Sequence, residues 1–276
     1  MLKKWLVDRE IKNRVDQLDI GFNQYGIDKF GVSKEHISLF LSILSKFYRN
    51  YFSVTTQGIE RVPEQGRVMI VGNHSGGVAI DGAMVIASLL LDKNPPRLAQ
   101  GMVEKFMNNL PFSSAWNSRA GQLTGLPEHA IQLLNDDRVL LVFPEGARGT
   151  AKLYKDRYSL VRFGTGFMRL ALQTNTPIVP FAFLGGGEVL PTIMNLKTLG
   201  RLVGAPYIPI TPYLLPIPLP RPCQVLYGEP MHFDGDGYED DEVIEMYVAE
   251  VKAEIAALIE AGREKRPLLD NHSQSN

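Results

Sequence analysis

An α/β fold, with a mainly parallel sheet flanked by helices and an amphipathic helical appendage at the N-terminus, is the architecture this sequence predicts. Three observations carry it. From about Ser53 onward, short Val, Ile and Leu runs alternate with longer helix-compatible stretches, as a parallel sheet covered by helices requires. Two of those runs, residues 68–71 (Val-Met-Ile-Val) and 139–142 (Val-Leu-Leu-Val), lead directly into polar, glycine-bounded loops. Open α/β sheets place ligands at that end of their strands. The chain has 276 residues, 45% hydrophobic and 21% charged, the size and composition of one large α/β domain with an appendage.

Residues 5–18 read as a polar helix, followed by a Gly-containing connection. Residues 36–52 place Ile37, Phe40, Leu41, Leu44, Phe47, Tyr48 and Tyr51 at helical spacing, widened by Leu39 and Ile43 and flanked by Lys34, Lys46 and Arg49. This stripe either packs on the domain or lies in a membrane interface, where aromatic and basic residues are favoured. Strands are expected at 52–56, 68–72, 97–101, 139–143, 178–183 and 223–227, with helices at 81–92, 128–137 and 162–174; Asp81 suits an acidic cap. A last helix over 240–261 would bury Ile244, Val248, Val251 and Ile255, its acidic start and basic end matching the helix dipole. The organisation expected is a helical appendage over 1–52, an α/β domain over 53–266 and a polar, disordered tail from 267 to 276. Residues 205–222 stand apart: seven prolines exclude a helix or a central strand, yet Tyr, Ile and Leu lie between them. The segment either folds over the core or presents an apolar surface to lipid or a partner.

A formal net charge of −1 supplies no whole-chain field for nucleic acid or acidic membranes. Cys223 is the single cysteine, so no internal disulfide forms. The N-terminus lacks the apolar core of a signal peptide, and no run approaches the roughly 18 apolar residues that span a bilayer. A cytoplasmic protein, peripheral at the inner face of the membrane, is expected. Charge is nonetheless uneven. Arg148, Lys152, Lys155, Arg157, Arg162 and Arg169 face a single acid, Asp156, whereas Asp234 to Glu245 is crowded with carboxylates. The acidic run reads as a solvated face, and the basic one as a meeting place for an anion.

Two loops hold the chemistry. His74 follows Asn73 at the end of the first run and precedes Ser75, Gly76 and Gly77, small residues that permit close approach by a substrate. Asp81 is the only carboxylate between Glu64 and Asp92. A carboxylate that accepts from one imidazole nitrogen fixes the tautomer and leaves the other nitrogen as a base. In the second loop Glu145, Gly146 and Arg148 follow the strand, and an arginine there can hold phosphate bidentately. A serine esterase is disfavoured by the absence of Gly-x-Ser-x-Gly, and a nucleotide-binding loop by the absence of Gly-x-x-x-x-Gly-Lys-Ser/Thr.

Four segments across residues 68–188 resemble the glycerolipid acyltransferase superfamily: Asn73-His74 through Asp81, Ser118-Arg119-Ala120-Gly121, Phe143-Pro144-Glu145-Gly146-Ala147-Arg148, and Thr176-Pro177-Ile178-Val179-Pro180. The resemblance implies direct acyl transfer from a thioester to a hydroxyl, without a covalent acyl-enzyme. His74 would be the base and Asp81 its orienting partner. Asn73, Arg119, Glu145, Gly146 and Arg148 would bind the acceptor, expected to be a lysophospholipid or acylglycerol phosphate. Acyl-CoA or acyl carrier protein would be a co-substrate, with no cofactor and no metal. Six residues separate His74 from Asp81, where most members have four; this resembles a bacterial branch grouped with monoacylglycerol and diacylglycerol acyltransferase-like proteins. The alternative of another class is a non-enzymatic lipid-binding or membrane-scaffold protein with a vestigial His site.

Overall fold

The computed structural model of the chain describes residues 7–76, 80–103, 119–124, 126–202, 204–264 and 266. In chain order the elements are α1 (Arg9–Asp16), α2 (Lys34–Lys46), a π-helical turn at Phe47–Tyr51, β1 (Thr55–Gln57), β2 (Val68–Gly72), α3 (Ile80–Leu91), β3 (Ala99–Val103), β4 (Leu123–Thr124), α4 (Pro127–Asn135), β5 (Val139–Val142), α5 (Ala147–Thr150), α6 (Gly166–Gln173), β6 (Ile178–Leu184), α7 (Gly186–Val189), β7 (Met194–Leu196), α8 (Lys197–Leu202), β8 (Ile208–Ile210), β9 (Gln224–Tyr227) and α9 (Asp241–Glu264).

Seven strands form one sheet in the order β1-β9-β6-β2-β5-β3-β4. From β6 through β2, β5 and β3 to β4 every pairing is parallel. β9 joins β6 antiparallel and carries β1 parallel to itself, so the sheet is mainly parallel with two reversed strands at one edge. Val68 lies opposite Val139 and Val71 opposite Val142, which brings the carboxyl ends of β2 and β5 level.

Side-chain alternation divides the core into two layers. Val68 and Ile70 of β2, with Phe181 and Phe183 of β6, pack under α3 together with Ile11 and Val15 of α1 and Ile37 and Leu41 of α2. Met69 and Val71, with Ile178 and Ala182, face α4, α6 and α9 through Leu133, Met168, Ile244, Val251 and Ile255. α1 begins where the Asp8 carboxylate accepts the Glu10 N–H, the usual N-cap bond. On α2 the serines at 38, 42 and 45 are buried beside the apolar stripe, and Ser42 Oγ accepts the Asp8 N–H, tying α1 to α2. The stripe itself is therefore split: Ile37, Leu41 and Leu44 turn inward, while Ile43 and Phe47 stay exposed.

Three features depart from the sequence reading. The strand expected at 52–56 starts only at Thr55, because the π-helical turn runs to Tyr51 and Ser53 adopts a positive φ of 40°. Residues 194–210 hold an antiparallel ribbon, β7 and β8, with α8 between its strands. Pro209 is tolerated there because a two-stranded ribbon leaves each strand an edge. The Pro-rich segment also divides: Tyr207 and Thr211 are buried, but Leu214, Leu215 and Ile217 are exposed. The tail expected from 267 lies outside the described residues. Among the described residues no helix is long and apolar enough to cross a membrane.

Candidate functional site

His74 sits two residues beyond β2, and Glu145 three beyond β5, so the parallel register delivers both to one end of the sheet. Their loops are joined directly: the His74 backbone N–H donates to Glu145 Oε1 at 2.9 Å. The imidazole Nδ1 lies 2.6 Å from Asp81 Oδ2. Asp81 is not the cap expected from the sequence; it lies inside α3, fully buried, where its carboxylate also accepts the backbone N–H groups of Ser75 at 2.7 Å and Gly82 at 2.8 Å. A buried carboxylate needs such donors to offset its lost hydration. Because a carboxylate only accepts, the proton of this hydrogen bond is on Nδ1, and in a neutral imidazole Nε2 is then the nitrogen that carries none. No described residue bonds Nε2. Residues 77–79, between His74 and Asp81, lie outside the described residues.

The imidazole is held on its face as well. Phe143 stacks on it at 4.1 Å between ring centroids and 19° between planes. Phe143 in turn meets Phe181 edge-on at 5.7 Å. Phe181 lies over Gly72, where any Cβ would fall 2.4 Å from its ring, so the end of β2 has to be glycine. Gly149 is equally constrained. A Cβ there would come within 2.7 Å of His74 Cβ and 2.8 Å of Glu145 Cβ, which is how α5 reaches so close to both.

Of the remaining residues singled out in the sequence, Asn73 and Glu145 turn inward. The Asn73 amide donates to the Phe183 carbonyl at 2.9 Å and accepts the Phe183 N–H at 2.7 Å, pinning the end of β2 to β6. Glu145 is buried, and besides the His74 N–H its oxygens accept from Lys152 Nζ at 3.0 and 3.1 Å and from the Val161 N–H at 3.0 Å. Both side chains direct their hydrogen bonds to protein partners, where the sequence reading had them meeting the acceptor. Gly146 and Arg148 face outward instead. Arg148 is exposed, with Nη2 donating to the Arg162 carbonyl at 3.2 Å. Arg119 is exposed too, and its Nη1 lies 3.3 Å from His36 Nε2 on α2; no described contact joins it to the His74 cluster. Ser118 lies outside the described residues.

Sequence reasoning missed Lys152 and Phe143 as members of this site. Lys152 was one charge in a basic run; its seven-residue separation from Glu145 across a short helix is the one signal that pairs them. The run is in fact mixed in use. Arg157 bonds Glu188, and Arg169 bonds Asp241 in the acidic stretch, so two oppositely charged segments partly neutralise each other. Arg148 and Lys155 remain at the surface, and Arg162, also exposed, lies 3.9 Å from Glu245 of the acidic stretch.

Residues 53–184 match the family model described as Acyltransferase. An uncharacterized protein of Mycobacterium tuberculosis is 34% identical over 216 residues, covering 75% of this chain and 60% of that protein. A Mycobacterium leprae protein is 33% identical over 217 residues, 75% of this chain and 59% of that one. The chain thus spans about 60% of the length of these curated relatives. A Gallus gallus protein named as a DGAT1/2-independent enzyme synthesizing storage lipids is 24% identical over 204 residues, 73% of this chain and 58% of that one. Among solved structures, the 1-acyl-sn-glycerophosphate acyltransferase PlsC of Thermotoga maritima shares the fold, with a TM-score of 0.56 and 17% identity over 83% of this chain and 82% of that one.

Proposed function

We propose that this chain, whose residues 53–184 match the Acyltransferase family model, acts as a member of the glycerolipid acyltransferase superfamily and moves a fatty acyl chain from a thioester onto a glycerolipid hydroxyl. The observation that carries the reading is the 2.6 Å contact between His74 Nδ1 and Asp81, with Nε2 left unbonded by any described residue at the sheet's carboxyl end. Nε2 takes the proton of the acceptor hydroxyl as its oxygen attacks the thioester carbonyl. The tetrahedral intermediate then collapses, the carbon–sulfur bond breaks, and the imidazolium returns its proton to the departing thiolate. Asp81 keeps the imidazole in the required tautomer and stabilises the imidazolium.

Asn73, Glu145 and Lys152 act as positioning residues, since their polar atoms meet protein groups and hold the two loops together. Arg148 is the residue for the acceptor, exposed and beside the Arg162 backbone. A phosphate-bearing acceptor, a lysophospholipid or acylglycerol phosphate, gives that arginine its ligand. A neutral acylglycerol is the second reading, favoured by the storage-lipid name of the Gallus gallus relative and by the long His–Asp spacing. The donor is acyl-CoA or acyl carrier protein, met by a protein peripheral to the membrane.

Thiol release from a panel of acyl-CoAs, with lysophosphatidate, other lysophospholipids or monoacylglycerol, tests the reading. Release that depends on acceptor and is lost in His74→Ala and Asp81→Asn, both still folded, supports it and names the acceptor. Release without acceptor indicates a thioesterase. No transfer from either CoA or carrier-protein donors leaves the non-enzymatic lipid-binding reading.

A further inference from the structure

From Val189 to Gly228 the chain contains no Asp or Glu, and its only charges are Lys197, Arg201 and Arg221. The same stretch holds six large apolar side chains, Ile193, Met194, Leu199, Leu214, Leu215 and Ile217, each between 45% and 72% exposed. Exposed apolar residues scattered singly need no explanation, but six in one acid-free segment do. The segment is also ordered by its own bonds rather than draped loosely. β7 and β8 pair with Met194 opposite Ile210 and Asn195 opposite Pro209. Leu219 N–H donates to the Val189 carbonyl, and Tyr51 Oη donates to the Pro218 carbonyl.

The ribbon has two faces, because side chains alternate across a strand. Asn195 faces inward, its amide donating to the Ala151 carbonyl at 2.6 Å. Met194 and Leu196, with their partners Ile210 and Ile208, therefore lie on the opposite face, which is the apolar one. On that face Met194 is exposed and Leu196, Ile208 and Ile210 are half-buried, while Asn195 and the buried Pro209 share the inward face. The ribbon's inner contacts are with the loop that carries Arg148: Tyr207 Oη donates to Thr150 Oγ1, and Asn195 holds residue 151.

We propose that residues 190–202 and 204–221 form the surface by which this protein docks on an anionic phospholipid bilayer. The apolar side chains enter the acyl boundary, and Lys197, Arg201 and Arg221, all exposed, meet lipid phosphates. The occupant is a bilayer rather than a second copy because the stretch is uniformly basic in a chain of net charge −1, so two copies would repel face to face. The inference fits the acyl-transfer reading, since the docked ribbon would hold the Arg148 loop beside the lipid. It is read by binding alone, so failure of turnover and failure of docking are separate results.

The test is sedimentation of the purified chain with vesicles of phosphatidylcholine alone or mixed with phosphatidylglycerol. The wild type is expected to bind the anionic vesicles, more weakly at high salt. The variant Leu214→Ser/Leu215→Ser/Ile217→Ser, altered only at exposed positions, should keep its fold by circular dichroism and lose about tenfold or more in partitioning. Lys197→Gln/Arg201→Gln/Arg221→Gln should lose the preference for anionic vesicles. Absence of wild-type binding, or unchanged binding in the serine variant, overturns the proposal. So does light scattering that shows the serine variant converting a wild-type oligomer to monomer while vesicle binding persists.

Discussion

Replacing Gly149 with alanine tests how tightly the two loops are packed. The new Cβ would lie 2.7 Å from His74 Cβ, 2.8 Å from Glu145 Cβ and 3.0 Å from the His74 carbonyl oxygen. Carbon pairs settle near 3.5 Å or more, so α5 and the His74 loop must part by roughly 0.8 Å. None of the three atoms is the far end of a flexible side chain, so the backbone has to move. Overpacking of this kind costs about 1–3 kcal/mol. For a chain of this size that is a fall of roughly 2–4 °C in Tm per kcal/mol. Displacement of a reacting group by about 1 Å costs on the order of 10²-fold in rate. Acceptor-dependent thiol release should therefore drop by one to two orders of magnitude, alongside a lowered Tm. Gly166→Ala is the control: nothing lies within 4 Å of its Cβ, at the first position of α6, and it should be neutral or stabilising by a few tenths of a kcal/mol. If Gly149→Ala kept its Tm and its rate within about twofold, the close approach of α5 to His74 would not be a requirement of the site.

Lys152→Met removes the partner of a buried carboxylate and should cost about 3–5 kcal/mol in a denaturant melt; the double variant with Glu145→Gln should recover part of it, and strict additivity would mean the two do not act as a pair. Asn73→Ala strands the N–H and C=O of Phe183 in the core, at about 1–3 kcal/mol for each group, so an unchanged melting curve would reject its role in joining β2 to β6. Burial pushes the Cys223 thiol up to about 12, so the native chain should resist a thiol reagent at pH 8 and react once unfolded. Prompt native labelling would refute that, and slow labelling keeps the thiol-release assay free of interference. The sign of the linked stability follows: the unfolded thiol ionises from about pH 8.5 while the folded one stays protonated, so this contribution is complete below about 8.5 and is lost as pH rises towards the folded value. Cys223→Val should flatten that alkaline decline.

β2 and β5 were legible because an apolar run ending in a polar glycine loop has few other structures open to it. α9 was legible from its period, extending three residues beyond the expected end at 261. The ribbon at 194–210 was not, since proline suppresses the strand signal and nothing local says that one edge will stay unpaired. Nor was the reversal of β9, which depends on where the long connection through residues 205–222 returns the chain rather than on the composition of β9. Within the site, Glu145 and Arg148 are three residues apart in a turn that sends one inward and the other to the surface. Sequence spacing could bring both to the strand end but not assign them opposite sides. The basic run was read as one surface, yet Lys152, Arg157 and Arg169 are bound to carboxylates of the chain itself.

The stack of rings from Gly72 through Phe181 and Phe143 to His74 makes the imidazole the last member of the hydrophobic core. Its orientation is inherited from the volume of residues that touch no ligand in the proposed reaction. A methylene added or removed at Phe181 would be read at the imidazole as a tilt before it registered as a change in melting temperature. Under the proposed chemistry, tolerance to substitution in this part of the core is therefore set by alignment of a proton acceptor, and positions that look like packing alone would behave in a mutational screen as active-site positions.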